Sequence, residues 1–117
     1  MSNDHRKLKA FNLADALVLE VYHATRSFPK DEMYGITSQL RRAAVSVPAN
    51  IVEGCGRTTR REYRQFLSIA FASLREVGYL LGLASRLGYL VDGDSNRLAA
   101  RHEEASRVLA VLMKSLS

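Results

Sequence analysis

The chain has 117 residues, the size of one ordinary domain, and 47% of them are apolar, which is enough for one continuous core. Two prolines and seven glycines, with no internal repeat or low-complexity tract, exclude a repetitive or linker-rich protein. A formal charge of +5 favours acidic partners such as nucleic acid or an anionic surface.

The cysteine count and the start of the chain indicate a compartment. Cys55 is the single cysteine and cannot form an internal disulfide, so nothing points to an oxidising environment. The stretch from Met1 to Lys9 is polar, and the longest early apolar run, residues 16–19, is too short for a signal-peptide core or a membrane span. We therefore expect a cytoplasmic protein without a membrane segment, folded as one domain over residues 1–117.

Two amphipathic helices are predicted in the first half of the chain. The first covers about residues 8–27, where apolar side chains recur at steps of three and four until Pro29 approaches. The second covers about residues 36–54, with Thr37 as a plausible N-cap and Gly54 at its end.

Two further helices are predicted in the second half. The third covers about residues 59–87 and has the clearest start, because Thr59 and Glu62 have the spacing of a capping box. The fourth covers about residues 95–116, after a cluster of turn residues. No stretch alternates with period two. Short links between long helices favour antiparallel neighbours, so the prediction is an all-α, up-down-up-down antiparallel four-helix bundle in a single domain.

The third predicted helix carries apolar residues around much of its circumference. Beyond its main stripe, further apolar side chains fall on other faces, notably Phe71, Tyr79 and Leu83. A helix of this kind is usually buried on more than one side. We therefore expect a closed homo-oligomer in which this helix contacts another subunit.

A search for catalytic or metal-binding patterns gives little. Four-helix bundles that hold paired metals use Glu-x-x-His on two helices, and this chain has the motif once, at Glu20 and His23. Gly54-Cys55-Gly56 lacks the glycines and the lysine of a nucleotide-binding loop. The sequence thus predicts no catalytic residue, no metal site and no cofactor, and favours a protein that is not an enzyme.

Charge is concentrated where the second and third helices meet. Six arginines against two glutamates give +4 of the total charge in this corner; they are Arg41, Arg42, Arg57, Arg60, Arg61 and Arg64. Arginine forks match phosphate geometry, so we interpret Arg41, Arg57, Arg60, Arg61 and Arg64 as candidates for contacting a nucleic-acid backbone. The alternative is an ordinary solvated helix start, partly neutralised by Glu53 and Glu62.

A polar strip accompanies the apolar faces of the second and third helices. If those edges meet, Arg42, Asn50, Ser73 and Glu76 could form a buried hydrogen-bonded network, which would specify one packing arrangement. Two solvated edges are the alternative.

The central segment resembles a known family. Residues 34–54, YGITSQLRRAAVSVPANIVEG, are similar to the signature of the four-helix-bundle proteins also called 23S rRNA intervening-sequence proteins. The later segments EYRQFLSIA at 62–70, SLRE at 73–76 and LGYL at 87–90 continue the pattern in the same order. The resemblance covers the chain from about Phe11 through the fourth helix.

The resemblance implies a small bacterial cytosolic bundle. Relatives are similar to the accessory protein of diversity-generating retroelements, which forms a pentameric barrel and associates with a reverse transcriptase and nucleic acid. The family therefore implies a pentamer, RNA or DNA as a partner, and a protein partner such as a polymerase. Our leading hypothesis is an oligomeric module that binds RNA or DNA backbone through its arginines. The alternative is a protein–protein scaffold without a nucleic-acid role.

Overall fold

A computed structural model describes residues 4–117, so the first three residues of the expected domain lie outside the described part. Four α-helices account for most of it: α1 (Lys9–Thr25), α2 (Ile36–Cys55), α3 (Arg60–Arg86) and α4 (Asp92–Ser115). Short 3-10 turns precede α1 and α2. No strand occurs in the described residues. The predicted all-α bundle is confirmed.

The helix ends differ from the prediction by only a few residues. Helix α4 begins at Asp92, three residues early, because the expected turn cluster forms its first turn. Asp92 and Asp94 there lie near the positive end of the helix dipole, which favours them. Thr37 does not cap α2: the N-cap is Gly35, and the buried Thr37 hydroxyl has no hydrogen-bond partner among residues 4–117.

Each helix packs on its neighbours in sequence, and α4 returns to pack on α1. The bundle is 44 Å long and 24 by 20 Å across. The up-down-up-down order gives it two distinct ends. The turn of residues 56–59 between α2 and α3, the start of α1 and the end of α4 form one end, called here the corner end. The segments 26–35 and 87–91 form the other, called here the loop end.

Apolar residues at helical spacing fill the centre of the bundle. Seven large side chains contributed by all four helices are less than 2% exposed: Leu17, Leu40, Ile51, Leu67, Leu74, Leu98 and Leu109. Their burial is the main stabilising term of such a fold, since a fully buried leucine contributes roughly 1.5–3 kcal/mol relative to an exposed one.

Two glycines allow close helix approach. A Cβ at Gly54 would lie 3.0 Å from Cδ1 of Tyr63 and 3.1 Å from Cβ of Phe66, so α2 crosses α3 there with no room for a side chain. Gly78 lies in the same way under the ring of His102 from α4. Gly82, one turn further along α3, faces open space. Of the small-residue pair on α3, therefore, only Gly78 serves a helix contact.

Tyr89 joins the two segments of the loop end. Gly88 has a φ of 77°, the left-handed region that glycine adopts without strain, and the Tyr89 amide then donates to the carbonyl of Ala84. The Tyr89 hydroxyl donates to Oε2 of Glu32 at 2.7 Å, and its ring lies 5.4 Å from that of Phe28. Around this contact four apolar side chains are exposed: Met33, Tyr34, Leu87 and Val91.

Helix α3 is less apolar on its outward-facing side than the sequence indicated. Phe71 and Leu83 are half-buried against the core, and Tyr79 alone of the three is largely exposed, at 62%. The rest of the outward face is mainly polar or basic. By length and composition α3 could also span a membrane. The core helix of a bundle meets the same criteria, and α3 packs on both α2 and α4.

Candidate functional site

The capping box at the start of α3 positions the arginines of the corner end. The Thr59 hydroxyl accepts a hydrogen bond from the Glu62 amide at 3.1 Å and donates to the Glu62 carboxylate at 3.1 Å. This fixes the first helical residue at Arg60. Arg60, Arg61 and Arg64 consequently project from the first turns of α3, and all three are exposed.

These three guanidinium groups have no ion pair or hydrogen bond with any residue that the structure describes. The two glutamates of the corner each have a partner: Glu62 binds Thr59, and Glu53 pairs with the corner arginine Arg57. The alternative interpretation, in which the two carboxylates partly neutralise the corner, holds for Arg57. Arg60, Arg61 and Arg64 make no such pair, so their three guanidinium groups face solvent together at the beginning of α3, with the Glu62 carboxylate held by Thr59 in the same turn.

Arg57 lies in the turn before α3 rather than on the helix. Its guanidinium pairs with Glu53 and its Cζ lies 4.6 Å from the centroid of the Phe66 ring. The contacts hold the side chain half-buried over the α2–α3 crossing. Arg57 thus belongs to the corner by position, with its charge already paired.

Arg41 lies away from the corner, which corrects the grouping suggested by the sequence. It is 14 residues before the end of α2, about 21 Å along the helix at 1.5 Å per residue. Its Nε donates to the Thr25 hydroxyl at 2.8 Å, and its Cζ lies 4.7 Å from the centroid of the Tyr22 ring. Arg41 therefore packs α2 on α1, and the run of arginines in the sequence is split by the length of a helix.

Three lysines that the sequence reasoning missed share the corner end. Lys7 ends the 3-10 turn before α1, Lys9 is the first residue of α1, and Lys114 lies in the last turn of α4. All three are exposed. They are distant from the arginines in sequence, and only the up-down-up-down order places them at the same end. The antiparallel fold predicted above already contained this signal.

The polar strip between α2 and α3 is smaller than expected. The hydroxyls of Ser46 and Ser73 are 2.8 Å apart, and the Asn50 amide donates to the Ser46 carbonyl and hydroxyl at 2.8 and 3.0 Å. Arg42 and Glu76 are exposed instead of buried. The expected network of four is therefore corrected, because both charged side chains remain in water, where ionised groups are cheapest to keep.

Glu20 and His23, which form the single Glu-x-x-His motif, lie outside any cluster of metal ligands in the described residues. The Glu20 carboxylate forms ion pairs with Nε of Arg97 at 2.8 Å and Nε of Arg101 at 3.0 Å, and these pairs join α1 to α4. His23 is exposed. Among the described residues, no group of three or more His, Cys, Asp or Glu side chains could hold a metal ion. Cys55 is 2% exposed, and burial raises the pKa of its thiol.

Comparisons with known proteins bear on the fold and the family. A crystal structure of a protein of unknown function from the S23 ribosomal protein family of Bacteroides thetaiotaomicron superposes with a TM-score of 0.82. The two chains are 19% identical, and the match covers 90% of this chain and 95% of the other. At that identity the likeness shows the shared fold. No curated protein matches the chain.

The family model for the 23S rRNA-intervening sequence protein matches residues 6–111, which include all of α1, α2 and α3 and most of α4. The match extends over nearly the whole bundle, so it does not depend on the signature segment alone. The chain belongs to the 23S rRNA-intervening sequence protein family.

Proposed function

We propose that this protein is a non-enzymatic module that binds the backbone of RNA or DNA through Arg60, Arg61 and Arg64. One observation carries the proposal: these three guanidinium groups are adjacent, exposed and free of carboxylate partners within the described residues. The membership of a family named for an insertion in ribosomal RNA agrees with such a role.

The geometry favours recognition of phosphate without recognition of sequence. A guanidinium can donate two parallel hydrogen bonds to one phosphate, so three neighbouring guanidinium groups on one helix suit successive phosphates of a backbone. Phe66 and Tyr63 are engaged in packing and offer no free aromatic face beside this row. Binding should therefore depend strongly on salt and little on base order.

The test is a salt titration of binding to a structured RNA. We expect the triple variant Arg60→Glu, Arg61→Glu, Arg64→Glu to abolish measurable binding. The milder triple variant to glutamine should bind weakly, and its slope of log affinity against log salt should be smaller by about two to three, at roughly 0.7–0.9 per lost phosphate contact.

A charge-matched control separates the corner from overall charge. The triple variant Arg26→Glu, Arg86→Glu, Arg107→Glu changes the net charge equally. Its three positions are exposed, two at the loop end and one on the outer face of α4. This control should keep most of the affinity. Unchanged binding by the corner variant, or equal losses by both triple variants, would rule the proposal out.

The exposed apolar side chains of the loop end favour a second candidate, a protein–protein scaffold. Met33, Tyr34, Leu87 and Val91 lie together at this end, and Tyr34 is 94% exposed. Clustered exposed apolar groups mark protein-binding surfaces more often than isolated ones do. A protein partner, such as a polymerase, that stays bound to the tagged chain after nuclease treatment and is lost with Tyr34→Ser would support the scaffold.

Assembly into a closed homo-oligomer is part of the same proposal, with five subunits as the number that the family likeness suggests. The exposed side chain of Tyr79 on α3, at 62%, supports a contact through this helix outside the corner end. Light scattering at micromolar concentration tests it directly. A stable monomer would refute the assembly and leave the arginine row to act alone.

A further inference from the structure

A pocket of about 670 Å³ opens beside the corner arginines, between the first half of α3 and the last turn of α4. Its lining combines positive, polar and apolar side chains: Arg61, Arg64, Gln65, Ser68, Ile69, Met113, Lys114 and Ser117. The α3 members at 61, 64, 65 and 68 follow helical spacing and share one face. The volume is in the range of sites that hold small organic ligands.

The chemistry of the lining is selective. Arg61, Arg64 and Lys114 contribute three cations, and no lining side chain is acidic. None of the three has an ion pair among the described residues. Ile69 and Met113 add apolar surface. The pocket therefore suits an anion that also carries an apolar part, and Gln65 and Ser68 can donate or accept hydrogen bonds beside it.

We propose that this pocket receives one unpaired nucleotide of the strand whose backbone the corner holds. The phosphate would lie among Arg61, Arg64 and Lys114, and the base would lie against Ile69 and Met113. This inference rests on the proposed function, since two of its arginines belong to the corner row.

An unpaired nucleotide fits better than other nucleic-acid ligands. In a duplex the bases are stacked on each other, so a protein surface outside the grooves meets only phosphate and sugar. Single-stranded segments expose bases that can rest on side chains or guanidinium planes. Of these ligands, only an unpaired nucleotide brings an anion and a flat ring with apolar faces into the pocket together, so that both halves of the lining are used.

The first experiment uses the nucleotide alone. Adenosine monophosphate, uridine monophosphate, inorganic phosphate and octanoate are titrated separately, and the methyl NMR signals of Ile69 and Met113 are followed. Both nucleotides should shift the two methyl signals, while inorganic phosphate should leave them unchanged. Methyl shifts with octanoate but not with the nucleotides, or no shift with either nucleotide, would overturn the inference.

The second experiment separates the pocket from the corner. A blunt RNA hairpin, whose two strands are joined by a non-nucleotide linker so that it has no unpaired nucleotide, is compared with the same hairpin carrying a short single-stranded overhang. We expect the overhang to tighten binding about fivefold, the lower end of the effect of stacking one base on an aromatic ring, because Ile69 and Met113 offer aliphatic surface instead. In the variant Ile69→Ser, Met113→Ser the preference should disappear and the blunt hairpin should bind as before, because no charge has changed.

Controls keep the result interpretable. The variant Leu19→Ser, Val111→Ser removes two exposed apolar groups outside the pocket and should keep the preference. If the double variant Ile69→Ser, Met113→Ser unfolds at too low a temperature, the single variant Ile69→Ser replaces it in the comparison. Equal binding of both hairpins to the unaltered protein would overturn the pocket inference and leave the proposed function standing. If neither hairpin binds, the proposed function has failed and the inference fails with it.

Discussion

The imidazole of His102 lies directly over Gly78. Its Nε2 donates to the carbonyl of Leu74 at 2.8 Å, and a Cβ placed on Gly78 would come within 2.7 Å of the ring. The hydrogen bond from α4 to the backbone of α3 therefore requires a residue without a side chain at position 78. Gly82 has open space above it and no such role.

This relationship predicts opposite effects for two similar substitutions. Gly82→Ala should raise the free energy of unfolding by about 0.5–1 kcal/mol, because alanine has the higher helix propensity. Gly78→Ala should lower the free energy of unfolding by about 1 kcal/mol, since the new Cβ displaces the His102 ring and breaks its hydrogen bond to Leu74. Urea denaturation of each variant measures both.

A double-mutant cycle identifies the cause. In the background of His102→Ala the ring is absent, so Gly78→Ala should become stabilising, as Gly82→Ala is. A Gly78→Ala effect that stays the same with and without His102 would show that the contact does not matter.

The crossing of α2 and α3 gives a second prediction. Gly54→Ala should lower the free energy of unfolding by about 1–3 kcal/mol, because its Cβ meets the buried Tyr63 and the Cβ of Phe66, which cannot turn aside. Gly56→Ala is the control. Its Cβ would have only ordinary contacts, at 3.6 and 4.0 Å, so it should be nearly neutral in thermal unfolding.

The cap of α3 gives a third prediction. Thr59→Ala removes the hydroxyl that accepts from the Glu62 amide and should destabilise the protein by about 1 kcal/mol. Thr59→Ser keeps the hydroxyl and should retain most of the stability. Because the cap sets where α3 begins, Thr59→Ala should also weaken RNA binding if the arginine row acts as proposed.

The buried thiol of Cys55 gives a fourth prediction, on pH. Burial raises its pKa above the unfolded value, near 9.0, because the thiolate would lose its solvation. A raised folded pKa contributes stability that is complete below the unfolded pKa and is lost as the pH rises through the folded one. Between about pH 8 and about pH 10 the unaltered protein should lose more stability than the variant Cys55→Ala. Tyrosines and lysines titrate in the same way in both proteins, so the difference reports the thiol.

Alkylation checks the same burial independently. Iodoacetamide should react with Cys55 only as fast as the protein opens, whereas a cysteine at the exposed position 49, in the variant Cys55→Ala, Ala49→Cys, should react at once. Equal rates would mean that Cys55 is accessible in the folded state.

Periodicity and capping predicted the four helices and their order, because each depends on residues within a few positions of one another. Thr37 shows the limit of local signals. Threonine is a typical N-cap residue, yet the N-cap of α2 is Gly35 and the Thr37 hydroxyl is buried. Which residue caps depends on the preceding turn, which the sequence pattern does not specify.

The candidate site was predicted only where it is local. Arg60, Arg61 and Arg64 lie within two turns of one helix, so sequence spacing placed them together. Arg41 was misplaced because distance along a helix was not weighed, and Lys114 was missed because its neighbourhood depends on the packing of α4 on α3. Contacts between distant segments require the fold before they can be found.

The two extremities of the bundle differ in character, and this has a consequence for how the molecule can be used. The corner end carries the three unpaired arginines, whereas the loop end carries four exposed apolar side chains beside Arg26 and Arg86, and the bundle between them is 44 Å long. A polyanion bound at the corner end would leave the loop end facing away from it and accessible. The protein would then act as an adaptor, with nucleic acid bound at the corner end and the apolar surface of the loop end available to another macromolecule.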